Sequence, residues 1–222
     1  DLKIESYFVD GQRVTDDAAM EVVEMVLSGR VNKEIVSLIN HEGGRAVGIS
    51  GKDGNLATGR VKTILKKKED GSIEELFMGR VGDVKSSDVN PDILDALYEK
   101  GYIPVIAPVA VDQDGHPLNI NADIMAGSIA GALKAEKLIL LTDTPGVMQN
   151  GETITGLTPA SVRSLIEQGV ISGGMIPKVN CCLSAISDGV KRTHIIDGRV
   201  PHCLLLEILT DRGVGTLISS DE

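Results

Sequence analysis

Residues 136–143 read EKLILLTD: two charged residues, four apolar residues in a row, then a polar pair. An unbroken apolar run leaves no face for water, so it predicts a strand buried in a sheet. Upstream, ADIMAGSIAGALKA predicts a helix. Downstream, TPASVRSLIEQG and MIPKVNCCLSAISDG predict two more, followed by a strand at THIID. Strands alternating with helices predict an α/β sandwich over a largely parallel sheet. Ligands of such sheets sit beyond the carboxyl ends of the strands, which makes Thr142, Asp143 and Gly146 of LLTDTPGV candidates for a nucleotide contact, with a plain strand-to-loop turn as the alternative.

The first half follows similar grammar. Thr15 is expected to cap a helix over TDDAAMEVVEMVLSG that Gly29 stops. A second helix, NKEIVSLINHEGG, is expected to be capped by Asn32 and closed by Gly43, and to lead into a strand at RAVGIS. Two strands between Arg60 and Gly79 flank KKKEDGS, where Asp70-Gly71 signals a hairpin turn and Lys66, Lys67 and Lys68 form a solvated tip. NPDILDALYEKG predicts a helix with Pro91 at its first position and Gly101 after its end. YIPVIAPVAV, Tyr102–Val111, is expected to be one strand buried on both faces of a parallel sheet.

Composition limits the function. The chain has 222 residues, is 42% hydrophobic and carries a net charge of −10, which argues against a nucleic-acid or membrane-surface binder, since those need a basic face. No apolar run is long enough to span a bilayer. The three cysteines, Cys181, Cys182 and Cys203, lack disulfide or zinc spacing and predict reduced, buried thiols in a reducing compartment. The four histidines are scattered, and DQDG lacks the further ligands of a calcium loop, so no metal is assigned to side chains. Because the chain begins at Asp1 rather than methionine, a leading segment is expected to be missing or removed. No GxxxxGK[ST] and no GxGxxG after a strand occurs, which disfavours a P-loop enzyme or a dinucleotide dehydrogenase.

Three further stretches bear chemistry. SGGMIPKVN, Ser172–Asn180, puts Lys178 at a glycine-rich helix start, where it either points into water or joins the backbone amides in holding an anion such as phosphate. In LNINAD, Leu118–Asp123, an amide or carboxylate caps the next helix, or an amide grips a substrate carboxylate while Asp123 orients cationic groups. Arg13 of DGQRVTD is a surface charge or a planar clamp for a carboxylate.

In that order along the chain, DGQRVTD, ISGKDG, NINAD, LILLTDTPGV and GGMIPKV resemble the acetylglutamate kinases of the amino-acid kinase family. The resemblance implies a three-layer α/β/α sandwich: one domain over 1–222, with an acetylglutamate lobe at 1–135 and a nucleotide lobe at 136–222. It implies transfer of the ATP γ-phosphoryl to the side-chain carboxylate of N-acetyl-L-glutamate, with Mg2+ arriving on the ATP. By the same resemblance Arg13, Asn119, Asn121 and Ala122 hold the acceptor, Asp123 organises the catalytic lysines, and Lys178 stabilises the moving phosphoryl. Thr142, Asp143, Gly146, Gly174, Met175 and Lys178 fall on the nucleotide side.

The ending IIDGRVPHCLLLEILTDRGVGTLI resembles the arginine-inhibited plant and cyanobacterial branch. That implies an arginine site at Lys137, His202, Glu207, Gly213 and Gly215, a homo-oligomer (dimer or hexamer), a PII signalling protein as partner, and a cytoplasmic or plastid-stromal location. Three departures stand against the pattern. The family's lysine-glycine-glycine and histidine-triple-glycine motifs are absent, as is the N-terminal helix linked to hexamers, and Gln12 stands where leucine is usual. His41, with Gly43 and Gly44 after Glu42, is not given the missing histidine's role. A related acceptor (aspartate, glutamate, carbamate or UMP) and a non-catalytic regulatory subunit are the alternatives.

Overall fold

The computed structural model describes residues 8–9, 12–67, 72–210 and 213–220. The Asp70-Gly71 turn, Lys68, and the Asp10-Gly11 start of DGQRVTD lie outside them. The chain divides into two compact units, Asp1–Met125 and Ala126–Glu222. No helix among the described residues is long and apolar enough to cross a membrane.

In the first unit, β1 (Phe8–Val9) pairs antiparallel with β2 (Gln12–Arg13), putting Arg13 opposite Phe8. Helix α1 (Asp17–Glu24) follows, capped by Asp16, whose Oδ1 accepts from the Ala19 amide at 2.7 Å. Thr15 is therefore not the cap. Its amide donates to Met78 and its carbonyl accepts from Arg80, which buries it as a bridge beside Gly79.

Gly29 does not stop the helix. Residues Met25–Val31 form a π-helical segment that passes directly into α2 (Asn32–His41), with the Asn32 amide reaching back to Leu27 O. A mid-helix glycine costs roughly 0.5–1 kcal/mol, which tertiary bonding overrides here. The Asn32 side chain, expected at a cap, is buried instead and donates to Val105 O at 2.8 Å and Ile49 O at 3.3 Å. Gly48 makes room for it, since a Cβ there would lie 1.9 Å from Asn32 Oδ1. Gly43 does close α2, at φ +85.

Strand β3 (Ala46–Ser50) follows, and its ISGKDG turn is pinned by Asp53 Oδ2, which accepts from Ser50 N at 2.7 Å and Ser50 Oγ at 2.9 Å. β4 (Arg60–Lys67) and β5 (Ile73–Asp83) pair antiparallel, and β5 runs past the expected end at Gly79. Helix α3 (Asp92–Glu99) has Pro91 as its N-cap rather than its first residue, with Asn90 Oδ1 accepting from the Asp92 amide, and ends before Gly101 at φ +71.

YIPVIAPVAV is not one strand. It splits at Pro108 into β6 (Ile103–Ala107), parallel to β3, and β7 (Val109–Val111), antiparallel to β8 (Pro117–Ile120). Proline has no amide to continue a ladder, and β6 is far from doubly covered, with Ile103 exposed. β8 also pairs in parallel with β5 and leads into α4 (Ala122–Ala132), in which the division between the units falls.

In the second unit, β9 (Lys137–Thr142) and β12 (Arg192–Asp197) run parallel, with β13 (Thr216–Ser219) antiparallel on β12. A small hairpin, β10 (Met148–Gln149) and β11 (Glu152–Thr153), precedes α5 (Pro159–Glu167), which Thr158 and Ser161 cap reciprocally. Helix α6 (Met175–Ser187) follows, and α7 (Cys203–Leu209) lies between β12 and β13. The core joins Leu138, Leu140, Ile195 and Ile218 of the sheet to Val162 of α5 and Val179, Cys182 and Ala185 of α6. None of the three cysteines is in a disulfide, and all three are buried.

Candidate active site

The sequence candidates fall into one group in each unit. In the first, β8 alternates: Leu118 and Ile120 point into the core, leaving Asn119 half-buried on the opposite face. Asn121 ends the strand and caps α4, its Oδ1 accepting from Asp123 N at 2.9 Å and Ile124 N at 3.2 Å. That bond stands Asp123, half-buried, in the first turn of α4 beside exposed Ala122. Strand and cap thus hold Asn119, Asn121, Ala122 and Asp123 on one short rigid turn. Arg13 lies on β2.

The second group gathers at one end of the second unit. Helix α6 packs on β9 and β12 and feeds β12. A helix joining parallel strands runs antiparallel to them, so its start lies at their carboxyl ends. Thr142 ends β9 there and Asp143 follows it. Gly174 and Met175 open α6, with half-buried Lys178 one turn in. No side chain caps this helix, but its first-turn amides are not free for an anion as expected: Met175 N donates to Ser172 O and Ile176 N to Gly173 O, both at 3.2 Å, and Pro177 has no amide. Gly173 holds φ +55, and a Cβ on Gly173 or Gly174 would meet nothing within 4 Å, so both glycines face open space. Gly146 has a structural duty instead: at φ +132, a Cβ would fall 2.6 Å from Thr216 Oγ1, which accepts from Val147 N and donates to Ile154 O.

Two residues at this end were missed by sequence reasoning. Asp197 pairs bidentately with Arg199, at 2.9 Å to Nε and 2.8 Å to an Nη. The guanidinium and the Arg199 amide hold the Asp197 carboxyl down to about 2. Asp197, and more weakly Asp143, raise the guanidinium in turn. The available signal was repetition: LLTD and HIID both end a buried strand on an aspartate.

The arginine-site candidates are only partly brought together. By strand register, Lys137 of β9 and His194 of β12 share one sheet face, two residues apart along the ladder. Glu207 meets that face and is already engaged, Oε1 lying 2.6 Å from His194 Nδ1 and Oε2 accepting from Val214 N at 2.6 Å. Gly213 lies against the same carboxylate. Gly215 packs on the backbone of Ile195, and His202 precedes α7 with its side chain exposed.

A possible cation group, Asp112, Asp114 and His116, has donor atoms within 4.8 Å of one another in the β7–β8 turn. Asp112 Oδ1 accepts from the Asp114 and His116 amides at 2.9 and 2.8 Å, so the turn itself accounts for the cluster. Burial works to raise the Asp112 carboxyl, but the His116 and Asp114 amides outweigh it and hold it below the ordinary value.

Comparison with known proteins places this geometry. The profile of the amino acid kinase family matches residues 1–197. An acetylglutamate kinase of Leptospira biflexa is 56% identical over 217 residues, covering 98% of this chain and 74% of its own length. One of Acinetobacter baumannii is 57% identical over 217 residues, covering 97% and 71%. A solved N-acetylglutamate synthase of Neisseria gonorrhoeae, complexed with coenzyme A and N-acetyl-glutamate, superposes with a TM-score of 0.80 at 24% identity, over 98% of this chain and 47% of its own, which speaks for the fold alone. A carboxylate-bearing turn after β8, an open glycine turn before α6 and these matches together lead to one conclusion: the chain belongs to the amino-acid kinase family.

Proposed function

We propose that the protein transfers the γ-phosphoryl group of ATP to the side-chain carboxylate of N-acetyl-L-glutamate, giving N-acetyl-L-glutamyl 5-phosphate for arginine biosynthesis. The observation that carries this reading is identity of 56% and 57% over 217 residues to acetylglutamate kinases of two distant bacteria. Phosphoryl transfer asks a protein mainly for position and countercharge. Lys178, one turn into an uncapped helix, supplies countercharge to the moving group, and the first-turn dipole adds to it. Asp123 orients the cationic groups, while Asn119, Asn121, Ala122 and Arg13 hold the acceptor. Thr142, Asp143, Gly146, Gly174 and Met175 serve the nucleotide.

Magnesium arrives with ATP and screens the charge of its phosphates. Its main ligands are then the phosphate oxygens. Three buried cysteines outside any disulfide support a reducing, cytosolic setting. Exposed Met25, Ile35 and Leu38 along the π segment and α2 support assembly into a homo-oligomer.

The test is ADP release by the full-length protein over a panel of acceptors. Turnover should require N-acetyl-L-glutamate, with glutamate, aspartate, carbamate and UMP giving little. Faster turnover with unacetylated glutamate would reassign the acceptor. Loss of turnover with every acceptor, while nucleotide still binds, would favour a regulatory subunit.

A further inference from the structure

Helix α7 is held in an unusual way. It is seven residues long, and of its apolar side chains only Cys203 is buried, whereas Leu204, Leu205, Ile208 and Leu209 are 41%, 57%, 49% and 74% exposed. Apolar burial is therefore not its main attachment. It is entered through His202 in the left-handed region at φ 60, a conformation that a non-glycine residue keeps only when its surroundings enforce it.

What fastens α7 is one carboxylate. The Glu207 side chain is 5% exposed and the His194 side chain 7%, and they meet at 2.6 Å. A carboxylate only accepts, so His194 Nδ1 carries the proton. The other oxygen takes the Val214 amide at 2.6 Å. Gly213, at φ +58, leaves room for the pair, since a Cβ there would lie 2.9 Å from Glu207 Oε2. His194 Nε2 is buried with no hydrogen-bond partner among the described residues, and the ladder neighbours of His194 are apolar Ile139 and Leu217. The strand places the ring, and the ring places Glu207.

From α7 a chain of bonds leads back to the end of β9. The Cys203 amide donates to Val200 O, the Val200 amide to Asp197 O, and the Gly198 amide to Thr142 O at 2.8 Å. Arg199 is fixed on Asp197 within the same loop.

We propose that α7 is a detachable strap which His194 and Glu207 clasp shut, and that opening the clasp loosens the turn at Thr142 and Asp143. Removing the carboxylate orphans a buried donor, His194 Nδ1–H, and a part-buried one, the Val214 amide. The cheapest relief is for α7 to lift and let water reach them, because so little apolar area opposes it. The effect on nucleotide rests on the assignment of Thr142 and Asp143 to the nucleotide side; the strap itself does not.

Hydrogen exchange of the full-length protein tests both parts. Glu207→Ala should speed exchange of residues 203–210 by about tenfold or more, against less than about twofold for Leu205→Ala, with α6 unchanged. It should also speed exchange at 142–146 and weaken binding of a non-hydrolysable ATP analogue by about threefold or more. Glu207→Gln, which can still accept from Val214, should restore most of the protection. Unchanged exchange at 203–210, an equal rise across α5 and α6, or as large an effect from Leu205→Ala would overturn the strap. A loosened α7 with unaltered exchange at 142–146 would overturn the coupling. Should Glu207→Ala fail to fold, the ring nitrogen shifts of His194 in the unaltered protein decide: a slowly exchanging proton on Nδ1 supports the clasp, and an unprotonated Nδ1 sinks it. Absence of nucleotide binding by the unaltered protein would strike at the proposed function and leave the exchange results standing.

Discussion

The two helices that follow the candidate turns begin in opposite ways. Helix α4 is closed by its own chain, with Asn121 Oδ1 accepting from two first-turn amides. Helix α6 has no side-chain cap and opens on two glycines that face empty space, its Met175 and Ile176 amides donating to the backbone carbonyls of Ser172 and Gly173. Every helix start leaves orphan amides, and the chain either satisfies them itself or leaves a positive end for an anion. The first start is thus fixed by a side chain that also holds Asp123 in place, and the second by backbone alone, with open space before its glycines. Aspartate at the closed start and lysine near the open one fit that division.

Three measurements would break or sharpen the contrast. The largest effect belongs to the open turn. Lys178→Ala should lower kcat by about 100-fold or more, as for a lost transition-state donor, with the circular dichroism spectrum unchanged. Unchanged turnover would leave the open helix start without a chemical role. The closed turn should answer in stability: Asn121→Ala should cost about 1 kcal/mol in urea unfolding, and Asn121→Ser should recover most of it. If both variants unfold with the native protein, α4 is not held by its cap and the contrast fails.

The smallest effect concerns the charge beside the open turn. The Asp197 carboxyl titrates at about 2 in the fold against an ordinary 3.8, with Arg199 as the cause. A depressed native value means that the pair's stabilisation is complete above 3.8 and fades as pH falls from there towards about 2. Carboxyl carbon NMR should show the Asp197 midpoint rising towards 3.8 in Arg199→Ala. A midpoint that stays put would assign the depression to the backbone amide of residue 199.

Local signals carried well where a residue acts on its own neighbours. The Gly43 and Gly101 stops and the position of β9 stand where the sequence places them, although β9 is not covered throughout, Leu141 being 49% exposed. They failed where a distant partner outbid the local one. Asn32 has the composition of a cap, yet the carbonyls of Ile49 and Val105 claim its amide. Thr15 likewise gives way to Asp16 because the strand through Gly79 engages its backbone. In YIPVIAPVAV both segments are extended, and only pairing shows that β6 and β7 serve different ladders. The candidate residues were legible as motifs, whereas Asp197 and His194 drew no notice because a lone acid or histidine at a strand has no meaning until its partner is known.

By itself the sequence determined α4, β9, α5, α6 and β12, the helix ends at Gly43 and Gly101, and the family, because these depend on spacing and on ordered short motifs. Tertiary structure alone decided that Asn32 lies inside rather than at a helix end, that Pro108 divides two ladders, and that Glu207 answers to His194. The physical reason is reach. A cap or turn is settled within about four residues, which is the span of a single hydrogen-bonded loop of chain. A buried polar group is settled by whichever partner the fold delivers, and Glu207 finds its partner 13 residues away.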